Sequence, residues 1–228
     1  MMIVVSLAAI SVTVLVYLFS RAFYQKYSYP FTLPLLIATI ILISLLLLFQ
    51  IPYETYYIGG QWLEKLLGPA VVALAYPLYR QFDMLKRHFK AIIVGVGTGA
   101  VVGISSGLFL LKWIGFDQTV VFSLVPKSVT TPVAMDVATT LGGIGALAAI
   151  NVMVAGIFGV VLGPYFFKWF NITSELSKGI ATGSASHAIG TAKALENSEA
   201  EGAASSVAMT LSAIIVSIIA PILVFLFY

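Results

Sequence analysis

The chain has 228 residues, of which 60% are hydrophobic and only 9% charged. A soluble domain carries about 25% charged residues to solvate its surface, so the composition excludes a water-soluble fold and points to lipid as the solvent. The excess of 12 Lys+Arg over 9 Asp+Glu sets topology rather than attracting nucleic acid, and the absence of cysteine excludes disulfides, iron–sulfur clusters and thiolate zinc sites. The expected fold class is all-α: a single polytopic membrane bundle over residues 1–228. At about 20 residues per span, the length allows at most nine or ten crossings.

In chain order, two uninterrupted spans come first, 2–19 and 31–49. The first lacks a basic leader and a small-x-small cleavage site, and its first basic residues, Arg21 and Lys26, follow it, so it reads as a retained span rather than a signal peptide. The segment 52–60, with Glu54 and three tyrosines, reads as a loop, and 61–79 as a third apolar element broken at Gly68-Pro69. Arg80, Lys86, Arg87 and Lys90 make the next loop the most basic and hence cytoplasmic, which puts the N-terminus outside. A span over 91–113 carries Gly95, Gly99, Gly103 and Gly107, a four-residue stripe that reads as a close helix contact, within the chain or between copies in a homo-oligomer. Beyond it lie a fragmented element, 119–141, a full span, 144–167, a second fragmented element, 175–195, and a last span, 203–227. If each fragment crosses once, there are about eight transmembrane elements and both termini lie outside.

The three breaks share a design in which an apolar stretch stops and a capped helix restarts. Proline in a first helical turn sacrifices no hydrogen bond, so Pro69 and Pro132 read as starts. Thr131 is placed to cap the helix at Pro132, and Ser184 or Ser186 the one near His187. Broken backbone at membrane depth needs protein or water around it, and a helix N-terminus there favours an anion. Lys127, Ser128, Thr130 and Thr131 flank one break; Ser184, Ser186, His187, Thr191 and Lys193 flank another. Hydroxyls and cations beside amide donors suit a small carboxylate. These residues, with Pro69, form the candidate substrate site. Asp136, an acid inside a membrane element, is the candidate for a coupling ion or, more blandly, a salt-bridge partner of Lys127 or Lys193. Asn151 reads as interhelical glue. Neither a metal-binding His motif nor a nucleophile elbow, Walker loop or dinucleotide fingerprint is present, so no catalytic residue, cofactor or metal is expected and an enzyme is disfavoured.

Three ordered segments, Leu67-Gly-Pro-Ala-Val-Val-Ala-Leu-Ala-Tyr-Pro-Leu-Tyr-Arg80, Pro126-Lys-Ser-Val-Thr-Thr-Pro132 and Ser186-His-Ala-Ile-Gly-Thr-Ala-Lys193, resemble the signature segments of the LrgB/CidB family. Many members have Thr at the place of Val71 and Arg at that of Lys193; the latter change keeps the charge but loses bidentate carboxylate geometry. The resemblance implies a bacterial plasma-membrane protein with two competing functions. One is holin- or antiholin-like control of murein hydrolase activity and lysis, with a small LrgA/CidA-type membrane partner. The other is transport of small monocarboxylates, as in related pyruvate transport components and the plastid glycolate/glycerate translocator. The residues themselves favour transport, because a pore needs only apolar helices that oligomerise.

Overall fold

A computed structural model describes residues 2–29, 32–66, 69, 72, 75–80 and 82–228. The described chain is helical and contains four helices long and apolar enough to cross a membrane: Met2–Lys26, Phe89–Ile114, Gly145–Trp169 and Glu199–Phe227, with Pro34–Leu48 a shorter apolar helix. It divides into two compact units, Met1–Ala70 and Val71–Tyr228.

In the first unit, α1 (Met2–Lys26) packs against α2 (Pro34–Leu48) and α3 (Tyr53–Glu64). The expected loop at 52–60 is instead the body of α3. Pro52 stands at its N-cap and Glu54 lies in its first turn, where an acid complements the helix dipole. Gly59 lets α3 lie against α1, since a β-carbon there would stand 2.6 Å from the Ser6 carbonyl. The contact is tied by Ser6 Oγ donating to Ile58 O at 3.2 Å and by a 2.9 Å bond between Thr13 Oγ1 and the Tyr56 hydroxyl. The break expected at Gly68-Pro69 falls largely outside the described residues; Pro69 itself is helical and exposed.

The second unit contains α4 (Ala75–Arg80), α5 (Phe82–Arg87), α6 (Phe89–Ile114), α7 (Gln118–Leu124), α8 (Thr131–Thr140), α9 (Gly145–Trp169), α10 (Glu175–Asn197) and α11 (Glu199–Phe227). Helix α10 is not straight. His187 adopts φ 41°, ψ −134° inside it, and the chain reverses there. A β-carbon on Gly190 would lie 3.0 Å from the carbonyl oxygen of Thr182, whereas eight residues of straight helix span about 12 Å. The neighbours agree: Gly179 and Gly183 lie against Ala204 and Ala208, in parallel order, while Thr191 and Leu195 meet Ser205 and Gly202, in antiparallel order. Helix α10 is therefore a hairpin of two legs, and Ser198, capping both α10 and α11, turns the chain back inward.

Helices α7 and α8 form a second hairpin, entering from the opposite end. Asp117 starts α7 by accepting from Thr119 N at 2.8 Å. The chain climbs until Lys127 and Ser128 lie beside Gly107 and Gly103 of α6, then descends along α8. Gly142, at φ 89°, ends the descent, and Ser123 Oγ accepts from Ile144 N at 2.7 Å, which pins the foot of the hairpin.

The single crossing expected of each fragmented element therefore does not occur, and the apolar stretches are short because each returns to its side of entry. The ends of the long helices follow. The starts of α6, α10 and α11 gather at one end, where His88, Ser174, Glu175 and Glu199 line a common cleft. The far ends of α6 and α11 gather at the other, where Lys112 Nζ donates to Phe227 O at 2.7 Å. With each hairpin, α6 and α9 make two units of opposite orientation: α6 followed by a hairpin from its far end, then α9 followed by a hairpin from its own.

The core is split accordingly. Ile92, Val96, Ile180, Val207 and Ala208 form one apolar cluster near the start of α6. A larger one, including Ile104, Leu108, Val121, Val152, Val216 and Val224, surrounds the α7–α8 hairpin. Gly179-x-x-x-Gly183 holds α10 against α11, since a β-carbon on Gly183 would collide with the backbone of Ser205. Gly183→Val is expected to lower stability by about 2 kcal/mol or more, because backbone cannot yield as a side chain does; thermal unfolding in detergent measures it.

Candidate functional site

The hairpin tips meet along the glycine stripe of α6. A β-carbon on Gly95 would stand 3.0 Å from Ile180 Cγ2, one on Gly99 3.7 Å from Ser184 Cβ, one on Gly103 3.8 Å from Ser128 Oγ and one on Gly107 3.0 Å from Lys127 Nζ. The first two contacts belong to the α10 hairpin and the last two to the α7–α8 hairpin. Successive stripe positions are about 6 Å apart, so Ser184 and Ser128 face α6 one turn from each other. The close contact expected of the stripe is real, but its partners are the polar tips rather than another spanning helix.

Helix α9 receives the other side of the α10 tip. A β-carbon on Gly159 would overlap Ser186 Oγ, and one on Gly156 would stand 2.9 Å from His187 Nε2. His187 is 2% exposed, and its Nε2 lies 2.9 Å from Val152 O. A carbonyl oxygen only accepts, so Nε2 carries the hydrogen. Thr191 Oγ1 bonds His187 O at 2.8 Å and the buried Ser205 Oγ at 2.8 Å. Thr210 and Ser212 of α11, which fall between Ala208 of one apolar cluster and Val216 of the other, are buried polar groups as well.

The caps differ from expectation. Helix α8 begins at Thr131, so Thr130 holds the N-cap position, yet its hydroxyl makes no capping bond. Thr130 Oγ1 is buried with no hydrogen-bond partner among the described residues, as is Asn151 Nδ2 of α9. Ser184 does not cap either: its Oγ donates to Ile180 O at 2.6 Å within the first leg. The second leg restarts without a serine cap because reversed backbone at His187, not a capping side chain, begins it.

The structure thus brings together Lys127, Ser128, Ser184, Ser186, His187 and Thr191, with Thr130 and Thr131 at the start of α8. Lys193 sits apart, about a turn and a half beyond His187, paired with Glu196 Oε2 at 2.8 Å. Asp136 is exposed on α8 and forms no ion pair among the described residues. Pro69 belongs to the first unit.

A cavity of about 540 Å³ opens at the end where α10 begins. It runs from Lys168, Glu175 and Asn197 down to Gly159 and Thr182, within about a turn of Ser186. Lys178, Lys193 and Glu201 also line it. Sequence reasoning missed Glu201, Lys178 and Lys168 as site groups. Along the sequence Glu201 is one of three acids between the last two apolar elements and the lysines stand at the ends of others; only the hairpin brings them to one cavity. Among the described residues, no group of His, Asp and Glu is arranged to hold a metal ion.

The sequence profile of the LrgB-like family matches residues 13–226. The chain belongs to the LrgB-like family. It is 46% identical over 224 residues to a Bacillus subtilis (strain 168) protein named as uncharacterized, YxaC, covering 98% of this chain and 97% of the relative. It is 38% identical over 223 residues to the holin-like protein CidB of Staphylococcus aureus (strain Mu50), again covering 98% of this chain and 97% of the relative. A third relative, YwbG of Bacillus subtilis (strain 168), is 40% identical over 219 residues, covering 96% of this chain and 97% of the relative. No solved structure matches. This LrgB-like chain is therefore a multi-pass membrane protein with bacterial homologues, among them Staphylococcus relatives named holin-like.

Proposed function

We propose that the chain moves small monocarboxylates, of the pyruvate, glycolate or glycerate class, across the bacterial plasma membrane. The observation that carries this reading is the meeting of two oppositely inserted hairpins among buried polar groups. Both α8 and the second leg of α10 begin there, so two helix N-termini, each equivalent to about half a positive charge, lie at mid-depth with Lys127 and several hydroxyls. Broken helices with N-termini at mid-depth, in inverted pairs, are the arrangement by which secondary transporters hold anionic substrates. The cavity above supplies a lysine-lined approach.

The orientation follows from charge. With hairpins that return, Lys168 and Lys178 share an end with Lys86, Arg87 and Lys90, whereas a single crossing would divide them. By the positive-inside rule that end is cytoplasmic, and the C-terminus lies outside.

Uptake of labelled pyruvate or glycolate into proteoliposomes, with and without an LrgA/CidA-type partner, tests the proposal. Uptake no greater than in protein-free liposomes under both conditions contradicts it. Thr130→Val is the informative variant. The buried hydroxyl has no partner among the described residues to lose, so stability should hold to within about 0.5 kcal/mol. Loss of one ligand bond should lower uptake about tenfold, the equivalent of about 1.4 kcal/mol.

A second reading, a holin-like role in lysis exerted with the same kind of partner, is favoured by the names of the Staphylococcus relatives. It predicts leakage of a large, uncharged dye from the same vesicles, insensitive to Thr130→Val.

A further inference from the structure

We propose that Asn151 reads the oxygen on the second carbon of the substrate, and so restricts the site to monocarboxylates that carry a 2-oxo or 2-hydroxy group. The inference rests on the transport reading above and deepens it. The carboxylate is held at the start of α8, and Asn151 of α9 distinguishes the oxygen beside it from a methyl group.

The register of α8 against α9 sets both positions at one depth. At the foot of the pair, a β-carbon on Gly145 would stand 3.2 Å from Thr139 Cγ2 and 3.6 Å from Met135 O. Further in, Ala148 shares an apolar cluster with Ala134, Val137 and Ala138. Six residues from Gly145 carry α9 about 9 Å inward, to Asn151. Six residues back from Val137, which lies midway between Met135 and Thr139, lead the same distance up α8 to Thr131. Asn151 is therefore level with the start of α8. The next residue, Val152, accepts from His187 Nε2 at 2.9 Å through its carbonyl oxygen, so the tip of α10 reaches this level too.

Two polar atoms at this depth have no protein partner among the described residues. Thr130 is 6% exposed, and its Oγ1 is buried without a hydrogen bond; Asn151 Nδ2 is buried without one as well. An amide acting as glue would bond a neighbouring helix, and Nδ2 bonds none of those described. Buried polar atoms are costly to leave unpaired, which makes a ligand atom the fitting partner. The amide nitrogen only donates, so that atom is an acceptor. The first bond of α8 runs from Ala134 N to Thr130 O at 2.9 Å, which leaves the amides of Thr131 and Val133 ahead of it. Those amides and the Thr130 hydroxyl suit the carboxylate. Asn151, on the adjoining helix, is left for the atom next to the carboxylate. A keto or hydroxyl oxygen accepts there, whereas a methyl group would leave Nδ2 buried and unpaired.

Glycolate and propionate share one skeleton and differ only in a hydroxyl against a methyl group, so they isolate this contact. Purified protein in detergent, alone and with the LrgA/CidA-type partner, is loaded with labelled glycolate and challenged with unlabelled glycolate, pyruvate or propionate. Glycolate and pyruvate should displace the label at similar concentrations, and propionate should need at least about tenfold more. In Asn151→Leu, which keeps the branched shape of the amide without its donor, the propionate-to-glycolate ratio should fall to near one. A packing role would weaken all three acids together and leave the ratio at its wild-type value, which overturns the proposal. Wild-type protein from which propionate displaces glycolate as readily as pyruvate does overturns it too. Should Asn151→Leu fail to fold, Asn151→Ala, which adds no bulk, is read by the same ratio. Wild-type protein that binds none of the three acids, alone or with the partner, would instead overturn the transport reading itself.

Discussion

Gly103→Leu is expected to abolish carboxylate uptake while Gly103→Ala leaves it largely intact. A β-carbon at Gly103 would stand 3.8 Å from Ser128 Oγ, and one at Gly99 3.7 Å from Ser184 Cβ. Both are ordinary contact distances, so a methyl group fits at either position. A leucine adds three more carbons, directed at the space where the hairpin tips meet, and fills the path between them. Uptake should fall by about a hundredfold or more, the equivalent of about 2.7 kcal/mol. Stability should change by no more than the 1–3 kcal/mol of ordinary overpacking. The comparison with Gly183, where even a β-carbon meets backbone, separates a blocked path from a broken fold. A Gly103→Leu protein that folds and transports normally would place the substrate elsewhere.

His187 carries the second large effect, and its sign is unusual. At φ 41° the backbone occupies the region that favours glycine, which costs a side-chain-bearing residue about 1–3 kcal/mol. Within an ordinary helix, glycine is less stable than alanine by about 1 kcal/mol. At position 187 the order should reverse. Alanine keeps the strain, forfeits the bond to Val152 O and leaves a void against Gly156, for a loss of about 3 kcal/mol. Glycine forfeits the same ring but relieves the backbone, so His187→Gly should be the more stable of the two by about 1 kcal/mol or more. Both should lose uptake, since the buried polar cluster is opened in each. Melting temperatures in detergent read the first outcome and proteoliposome uptake the second. If His187→Ala is the more stable, the chain does not reverse at this residue.

Hydrophobicity made the lipid environment and the long spans legible at once. Runs such as 91–113 and 144–167 are too apolar to be anything else, and they appear as α6 and α9. The breaks at Pro126–Pro132 and Gly183–His187 were also legible, because proline and serine interrupt otherwise apolar stretches. What the sequence concealed was the direction of the chain after each break. A short apolar segment after His187 reads alike whether it continues across or turns back, and the turn is made by histidine rather than by a glycine that would have marked it. The glycine stripe of α6 pointed to close packing but could not name Ser184 and Ser128 as its partners, since that needs both hairpins in place. Glu201 was hidden for the same reason: beside Glu196 and Glu199 it looks like one more charge in a solvated connection, until the second leg of α10 folds the cavity over it.

Whether the first fragmented element is a hairpin returning to its own side is testable without any transport assay. The chain has no cysteine, so single cysteines introduced at the exposed positions His88, Asp117 and Thr173 can be labelled in sealed vesicles of known orientation. The hairpin fold predicts that His88→Cys and Thr173→Cys react with an impermeant maleimide from one face of the membrane and Asp117→Cys from the other. Labelling of His88→Cys and Thr173→Cys from opposite faces would show that a fragmented element crosses, and would contradict the hairpin fold.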